Sequence, residues 1–201
     1  MDSREDVVRR FWLERAKRPD FLWRDLVAAN FQIIEPFLRS ELHVLDLGAG
    51  DGRLSALVAD RVDHLHAVDY TRAVERLRSH PRCSVSVSDI RTYEDSGKYD
   101  LILLFGVMNF IPSTTALYQK CRGLLAEGGL LIVKHQCGRR GHVHISTKID
   151  GVPYESDYPF MGTDVADLLE VGFKKVEVSH PYPSSMNTWK DTIYTAFVAS
   201  L

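Results

Sequence analysis

Val44-Leu45-Asp46-Leu47-Gly48-Ala49-Gly50-Asp51-Gly52 runs from a β-rich stretch into three closely spaced glycines and then into Arg53 to Asp60, which has helical texture. Glycine lets the chain turn sharply and lets a ligand approach the backbone, and a helix starting there presents free N–H groups. A nucleotide-type ligand is therefore expected on this loop. A dinucleotide site needs another glycine three residues after the second, so that helix and strand can close around a pyrophosphate. Arg53 occupies that position, which excludes the NAD fingerprint.

Outward from the loop, short apolar runs alternate with amphipathic stretches, the pattern of a parallel sheet covered by helices on both faces. Strands are expected at 42–47, 64–69, 83–88, 99–105 and 129–135, with helices near 52–60, 71–79 and 113–126 and a short turn after Asp89. Beyond Lys134 the chain reads as loop, followed by a helix from about Thr163 to Val171. Strands at about 173–179 and 192–199 follow, joined by the turn-rich Pro181, Pro183, Ser184 and Ser185, which allows an antiparallel last pair. The expected fold class is α/β: a three-layer sandwich around a mixed, mostly parallel seven-stranded sheet with an antiparallel last strand, plus N-terminal helices. Residues 2–39 read as helix with a break at Pro19.

Asp69 closes the strand His64-Leu65-His66-Ala67-Val68, about 20 residues past the loop, where a carboxylate can accept hydrogen bonds from both hydroxyls of a ribose. A helix cap for the residues from Thr71 onward is the alternative, and Tyr70 beside it offers a flat face to a base. The loop Gly48-x-Gly50-x-Gly52, with Asp46 two residues upstream, resembles motif I of the class I S-adenosylmethionine-dependent methyltransferases. That resemblance implies S-adenosylmethionine as cofactor and S-adenosylhomocysteine as product. It further implies that Asp46 orients the methionine portion, that Asp89 meets the adenine amino group and that Ile90 packs on the ring. Asp89 also fits a plain turn aspartate.

The strand Tyr99 to Phe105, followed by Gly106-Val107-Met108-Asn109-Phe110-Ile111-Pro112, is similar to the family's fourth motif. There the chain passes beneath the transferring methyl group, with Phe105 at the cofactor and a polar residue, here Asn109, facing the acceptor. Leu124 to Val133 is similar to the family's next helix, glycine turn and fifth strand, so the resemblance covers residues 42 to 135. On it, residues 1–40 form an N-terminal helical arm or lid and 41–201 the methyltransferase domain.

Methyl transfer from a sulfonium is an in-line displacement, for which alignment and exclusion of water supply much of the acceleration. Asn or Asp before Pro-Pro-aromatic, used on base amines, does not follow the fourth strand, and a Pro-Cys nucleophile is absent. Lys134 ends the fifth strand as in a ribose-methylating RNA family, but the aspartate that family also requires is missing, so the likeness is discounted. His135, with His142 and His144 after it, is a candidate base. No metal is expected, because His142-x-His144 lacks carboxylates at helix-fixed spacing. From Asp150 to Phe173 there are six acids and no Lys or Arg, interleaved with Tyr154, Tyr158 and Phe160. An acidic, aromatic wall of this kind suits an amine-bearing acceptor. Trp12 and Trp189 are candidates for closing the acceptor pocket, or for filling the core beneath it.

The 201 residues carry 25 basic and 27 acidic side chains, so no global field draws the protein to nucleic acid or to a membrane surface. Three scattered cysteines argue against a disulfide framework, and no apolar run approaches a bilayer span. The expectation is a cytoplasmic monomer or homodimer that methylates nitrogen or oxygen of a small molecule. An RNA or protein methyltransferase and a non-catalytic binding module are the alternatives.

Overall fold

The computed structural model describes residues 3–18 and 26–201. The expected break at Pro19, with Phe21 and Leu22 after it, lies outside the described residues. Helix α1 (Arg4–Arg15) starts in a capping box: the Ser3 hydroxyl accepts from the Asp6 N–H, and the Asp6 carboxylate accepts from the Ser3 N–H. Helix α2 (Val27–Ile34) leads through a 3₁₀ turn (Glu35–Phe37) to β1 (His43–Leu47).

Then follow α3 (Arg53–Ala59), β2 (His64–Asp69), a 3₁₀ segment (Arg72–Ser79), β3 (Cys83–Val87) and β4 (Tyr99–Phe105). After α4 (Thr114–Leu124) come β5 (Leu125–Gly138), β6 (Val143–Ile149), β7 (Val152–Tyr158), α5 (Met161–Glu170), β8 (Lys175–Ser179) and β9 (Thr192–Ser200). The segment expected as a helix at 71–79 winds as 3₁₀, burying only Val74 and Leu77.

Seven strands form one sheet in the order β3-β2-β1-β4-β5-β9-β8. β9 runs antiparallel to both neighbours, and the other pairings are parallel. β1 and β4 read as continuous apolar runs because both faces are covered: Val44, Leu45 and Leu47, and Leu101 to Leu104, are all at most 1% exposed. One core lies on the face carrying α4 and α5, including Tyr118, Leu131, Leu168 and Phe197. The other lies on the face carrying α2 and α3, including Ile34, Val58, Leu103 and Ile132. Strand order reverses between β1 and β4, which opens a crevice above their carboxyl ends, where ligands bind in open α/β sheets.

The segment after Lys134 is not loop. β5 continues to Gly138, and β6 and β7 pair as a separate antiparallel hairpin. Its turn is Asp150-Gly151, both with positive φ (51° and 81°), the two-residue connection that matches strand twist. β6 alternates partly buried Val143, Ile145 and Ile149 with exposed His144, Ser146 and Lys148, the period-2 pattern of a half-buried strand, interrupted only by the exposed Thr147. β7 turns Tyr154, Ser156 and Tyr158 inward. α1 packs across that hairpin: Phe11 meets Tyr154 edge to face at 4.9 Å, Trp12 meets Phe110 at 5.1 Å, and Arg4 pairs with Asp157 at 2.5 Å. Among the described residues no helix is long and apolar enough to cross a membrane.

Candidate functional site

A cavity of about 460 Å³ opens above the β1–β4 crevice, walled by the glycine loop, the ends of β2, β4 and β5, the hairpin and α1. The loop is pinned to β2, with the N–H groups of Gly48 and Ala49 donating to the Val68 carbonyl at 2.8 and 3.1 Å. Gly48 has φ +89°, and a Cβ there would lie 2.1 Å from Cγ1 of Val107, so only glycine lets the β1 loop and the β4 turn meet. Gly48 and Gly50 line the cavity, whereas Gly52 caps α3 in the left-handed region and turns away from it.

Asp46 does not reach the cavity. Its side chain lies beneath the loop and accepts a hydrogen bond from Ser55 Oγ at 2.6 Å; burial raises its pKa to about 6, against the opposing effect of that bond. In this conformation it ties β1 to α3. Asp69 does line the cavity, and its two oxygens accept from the Gly50 N–H at 2.9 Å and the Thr71 N–H at 2.7 Å. Burial raises its pKa, and these backbone bonds oppose the rise. Each oxygen keeps a lone pair for a ligand diol. Both readings of Asp69 thus coexist: it organises the turn and faces the cavity.

Next to it, Tyr70 Oη and Thr71 Oγ1 are buried without a hydrogen-bond partner, and both residues line the same wall. Asp89, Ile90 and Phe105 also line the cavity. The Asp89 carboxylate is gripped by Arg91, which lowers its pKa, and Arg91 in turn holds Glu5 of α1 at 2.6 Å.

The acceptor half departs further from the sequence reading. His135 lines the cavity but is no free base: Nε2 lies 3.4 Å from Asp164 Oδ2, and Nδ1 lies 3.0 Å from the Gln136 carbonyl. Burial is the largest single influence and would discharge the ring, but the hydrogen bonds and charges of Asp164 and Cys137 together outweigh it and raise the pKa to about 10. An imidazolium whose two N–H groups are both engaged has no lone pair with which to take a proton. His142 is exposed, pairs with Asp157 at 3.1 Å and does not line the cavity, so its base role is withdrawn.

Asn109 is buried, and its amide nitrogen donates to the carbonyls of Gln136 and Asp157, both at 2.8 Å. It latches the β4 turn to β5 and to the hairpin, leaving only its carbonyl oxygen for a ligand.

Trp12, Tyr154 and Tyr158 line the cavity; Trp189 does not. Trp189 stands behind the two tyrosines, with Nε1 donating to Tyr158 Oη at 2.5 Å, and so supports the wall from outside. None of the acids between 150 and 173 lines the cavity. Asp150 pairs with Arg15 and Arg18, Glu155 with His144, and Asp157 with Arg4, while Asp167 accepts from the Thr114 hydroxyl. The expected acidic wall is a set of struts holding α1, the hairpin and α5. His135, Cys137 and Asp164 bring three ligand-type atoms within 4.8 Å of one another in the core, where His135 and Asp164 already satisfy each other as an ion pair.

Sequence reasoning weighed Lys134 only for a ribose-methylating likeness and overlooked Tyr194 and Asn30; the three line the cavity together. The available signal was a lone lysine ending the apolar run Leu130 to Val133.

Residues 45–131 match the family model described as "Methyltransferase domain". (S)-Coclaurine N-methyltransferase of Thalictrum flavum subsp. glaucum is 29% identical over 126 residues, covering 58% of this chain and 35% of that protein. Trans-aconitate 2-methyltransferase of Methylobacterium radiotolerans is 31% identical over 94 residues, covering 45% and 36%. The chain thus spans about a third of the length of these curated relatives. In fold it is similar to Burkholderia thailandensis 1,6-didemethyltoxoflavin-N1-methyltransferase, solved with 1,6-didemethyltoxoflavin and S-adenosylhomocysteine. The TM-score is 0.76 at 16% identity, with 100% of this chain and 91% of that one covered.

Proposed function

We propose that this chain, whose residues 45–131 carry a methyltransferase domain and whose sheet has the class I S-adenosylmethionine-dependent methyltransferase arrangement, binds that cofactor and methylates a small molecule. The observation that carries the reading is the wall formed by Gly48, Gly50 and Asp69 beside Tyr70 and Thr71, with the Asp69 carboxylate fixed at the cavity by the Gly50 and Thr71 N–H groups. The donor set fits a nucleoside: a carboxylate for a diol, an aromatic face for a base, and a loop without a phosphate cradle. Asp69, Tyr70, Asp89 and Ile90 would hold the nucleoside, and Gly48, Gly50 and Phe105 the portion that follows it. When bound, the cofactor supplies an electrophilic methyl on a sulfonium, which an acceptor lone pair takes as the carbon–sulfur bond breaks and its electrons return to sulfur.

The chain's own residues position the acceptor and keep water out. Tyr154 and Tyr158 offer it a flat wall, stiffened by their mutual hydroxyl contact at 3.1 Å and by Trp189. Trp12 and Val8 of α1 close the cavity from above, so α1 acts as the lid of the site. His135, held charged by Asp164, contributes rigidity and a fixed positive edge rather than proton abstraction. The three cysteines are free thiols, which suits a reducing, cytoplasmic setting.

Calorimetric titration with S-adenosylhomocysteine tests the reading, followed by a metabolite screen for S-adenosylhomocysteine formation. Micromolar binding that is lost in Asp69→Ala is expected. Undiminished affinity in that variant would defeat the site, and tight, salt-sensitive RNA binding would favour a macromolecular acceptor.

A further inference from the structure

The carboxylates that line the cavity are Glu5, Asp69 and Asp89. All three belong to the β2–β3 side: Asp69 ends β2, Asp89 follows β3, and Glu5 reaches that side through Arg91. Lys134 lies on β5, which the strand order places three spacings from β2, roughly 14 Å away. It is 4% exposed, and its ammonium lies 4.5 Å from the ring centroid of Tyr194 and 5.2 Å from that of Tyr182. Among the described residues it makes no hydrogen bond or ion pair.

An unpaired buried ammonium costs several kcal/mol, of which ring faces return about 0.5–2 kcal/mol. His135, the other cation at this end, is already matched by Asp164. Among the described residues, the β5 half of the cavity therefore holds this one uncompensated ammonium and no carboxylate.

We propose that the methyl acceptor presents an oxyanion, a carboxylate or a phenolate, and that Lys134 is its counter-ion in the β5 half of the cavity. This rests on the methyltransferase reading and deepens it by naming the substrate class. An oxyanion brings the negative charge that the described residues do not supply, and its lone pair is already available for attack. A protonated amine meets repulsion at the same position, so the lysine selects against amines as well as for acids. The half-empty charge balance also explains why burial lowers the Lys134 pKa to about 7, a value that a bound anion would raise again.

The test uses wild type, Lys134→Met and Lys134→Arg, each titrated first with S-adenosylhomocysteine. At saturating S-adenosylhomocysteine, three sets of probes are then compared: benzoate and salicylate for carboxylates, 4-nitrophenol and 2,4-dinitrophenol for phenolates, and benzylamine and tyramine as amines. Wild type should bind members of one anionic set at least 10-fold more tightly than the amines. Lys134→Met should lose at least 10-fold of that affinity while holding S-adenosylhomocysteine within about 2-fold, and Lys134→Arg should recover part of the loss. Retained S-adenosylhomocysteine affinity and melting temperature certify that the variants are folded. Preference for the amines, no binding by either anionic set, or anion affinity unchanged in Lys134→Met each overturns the proposal. A loss confined to S-adenosylhomocysteine also overturns it, by assigning Lys134 to the cofactor's own carboxylate. No S-adenosylhomocysteine binding in wild type would instead defeat the methyltransferase reading.

Discussion

Asp164 on α5 sits 3.4 Å from His135 on β5 with both side chains essentially inaccessible, and the two residues join the sheet to the helix behind the cavity. Tyr118 of α4 donates to the other Asp164 oxygen at 2.6 Å, so one carboxylate ties three elements together. Breaking a buried pair leaves a charge without compensation. Asp164→Asn should therefore destabilise the protein by on the order of 3 kcal/mol in urea unfolding. In wild type the imidazolium signals of His135 should persist in NMR spectra above pH 8, and in the variant they should titrate several pH units lower.

The same pair gives stability a direction with pH. His135 has a raised folded pKa, so its contribution is fully present below about 6.5 and is lost as pH rises through about 10. Lys134 has the opposite sign: its folded pKa is lowered to about 7, so its penalty is full below that value and is relieved as pH rises toward 10.5. Between pH 7 and 9 the two slopes oppose each other. Lys134→Met should expose the falling slope and Asp164→Asn the rising one, as read from unfolding free energies at intervals across that range. Equal slopes in the two variants would contradict the assignment.

Gly48→Ala meets two obstacles, a left-handed backbone and Val107 at 2.1 Å. It should cost about 1–3 kcal/mol of stability and weaken S-adenosylhomocysteine binding at least 10-fold by calorimetry. Adding Val107→Ala removes the clash and leaves the backbone strain. The double variant should recover only part of the loss.

Asn109→Ala removes both donors that latch Gln136 and Asp157. The Asp157 carbonyl loses its partner while the Gln136 carbonyl keeps the one from His135, which predicts a loss of about 1–3 kcal/mol. Hydrogen exchange should accelerate most at 143–158, the hairpin carrying Tyr154 and Tyr158. An unchanged exchange pattern there would show that the latch carries no load.

The places of the strands along the chain were legible because apolar runs are a local pattern, whereas the sheet order β3-β2-β1-β4-β5-β9-β8 depends on pairing between distant segments. The buried strands are apolar throughout, and the glycine loop, Asp69, Asp89 and Phe105 stand at strand ends that short-range periodicity locates. The β6–β7 hairpin escaped although Val143, Ile145 and Ile149 alternate with polar residues and Asp150-Gly151 carried the turn signal, because the flanking His, Gly and Pro residues read as loop. The acids from Asp150 to Asp167 were misjudged as a binding wall because their partners, Arg4, Arg15, Arg18 and Thr114, lie between 53 and more than 130 residues away in sequence.

By itself, then, the sequence determined the α/β architecture and the sharp glycine turn that follows β1, since these follow from pattern and spacing along a few consecutive residues. Tertiary structure alone decided which polar groups are free to act. His135 lost its base role to Asp164, Asn109 became a latch, Trp189 moved behind the wall, and Lys134 emerged as a cation in the cavity lining with no carboxylate partner among the described residues. A side chain's chemistry depends on its partners and its burial, and both are set by contacts between segments that the order of residues keeps far apart.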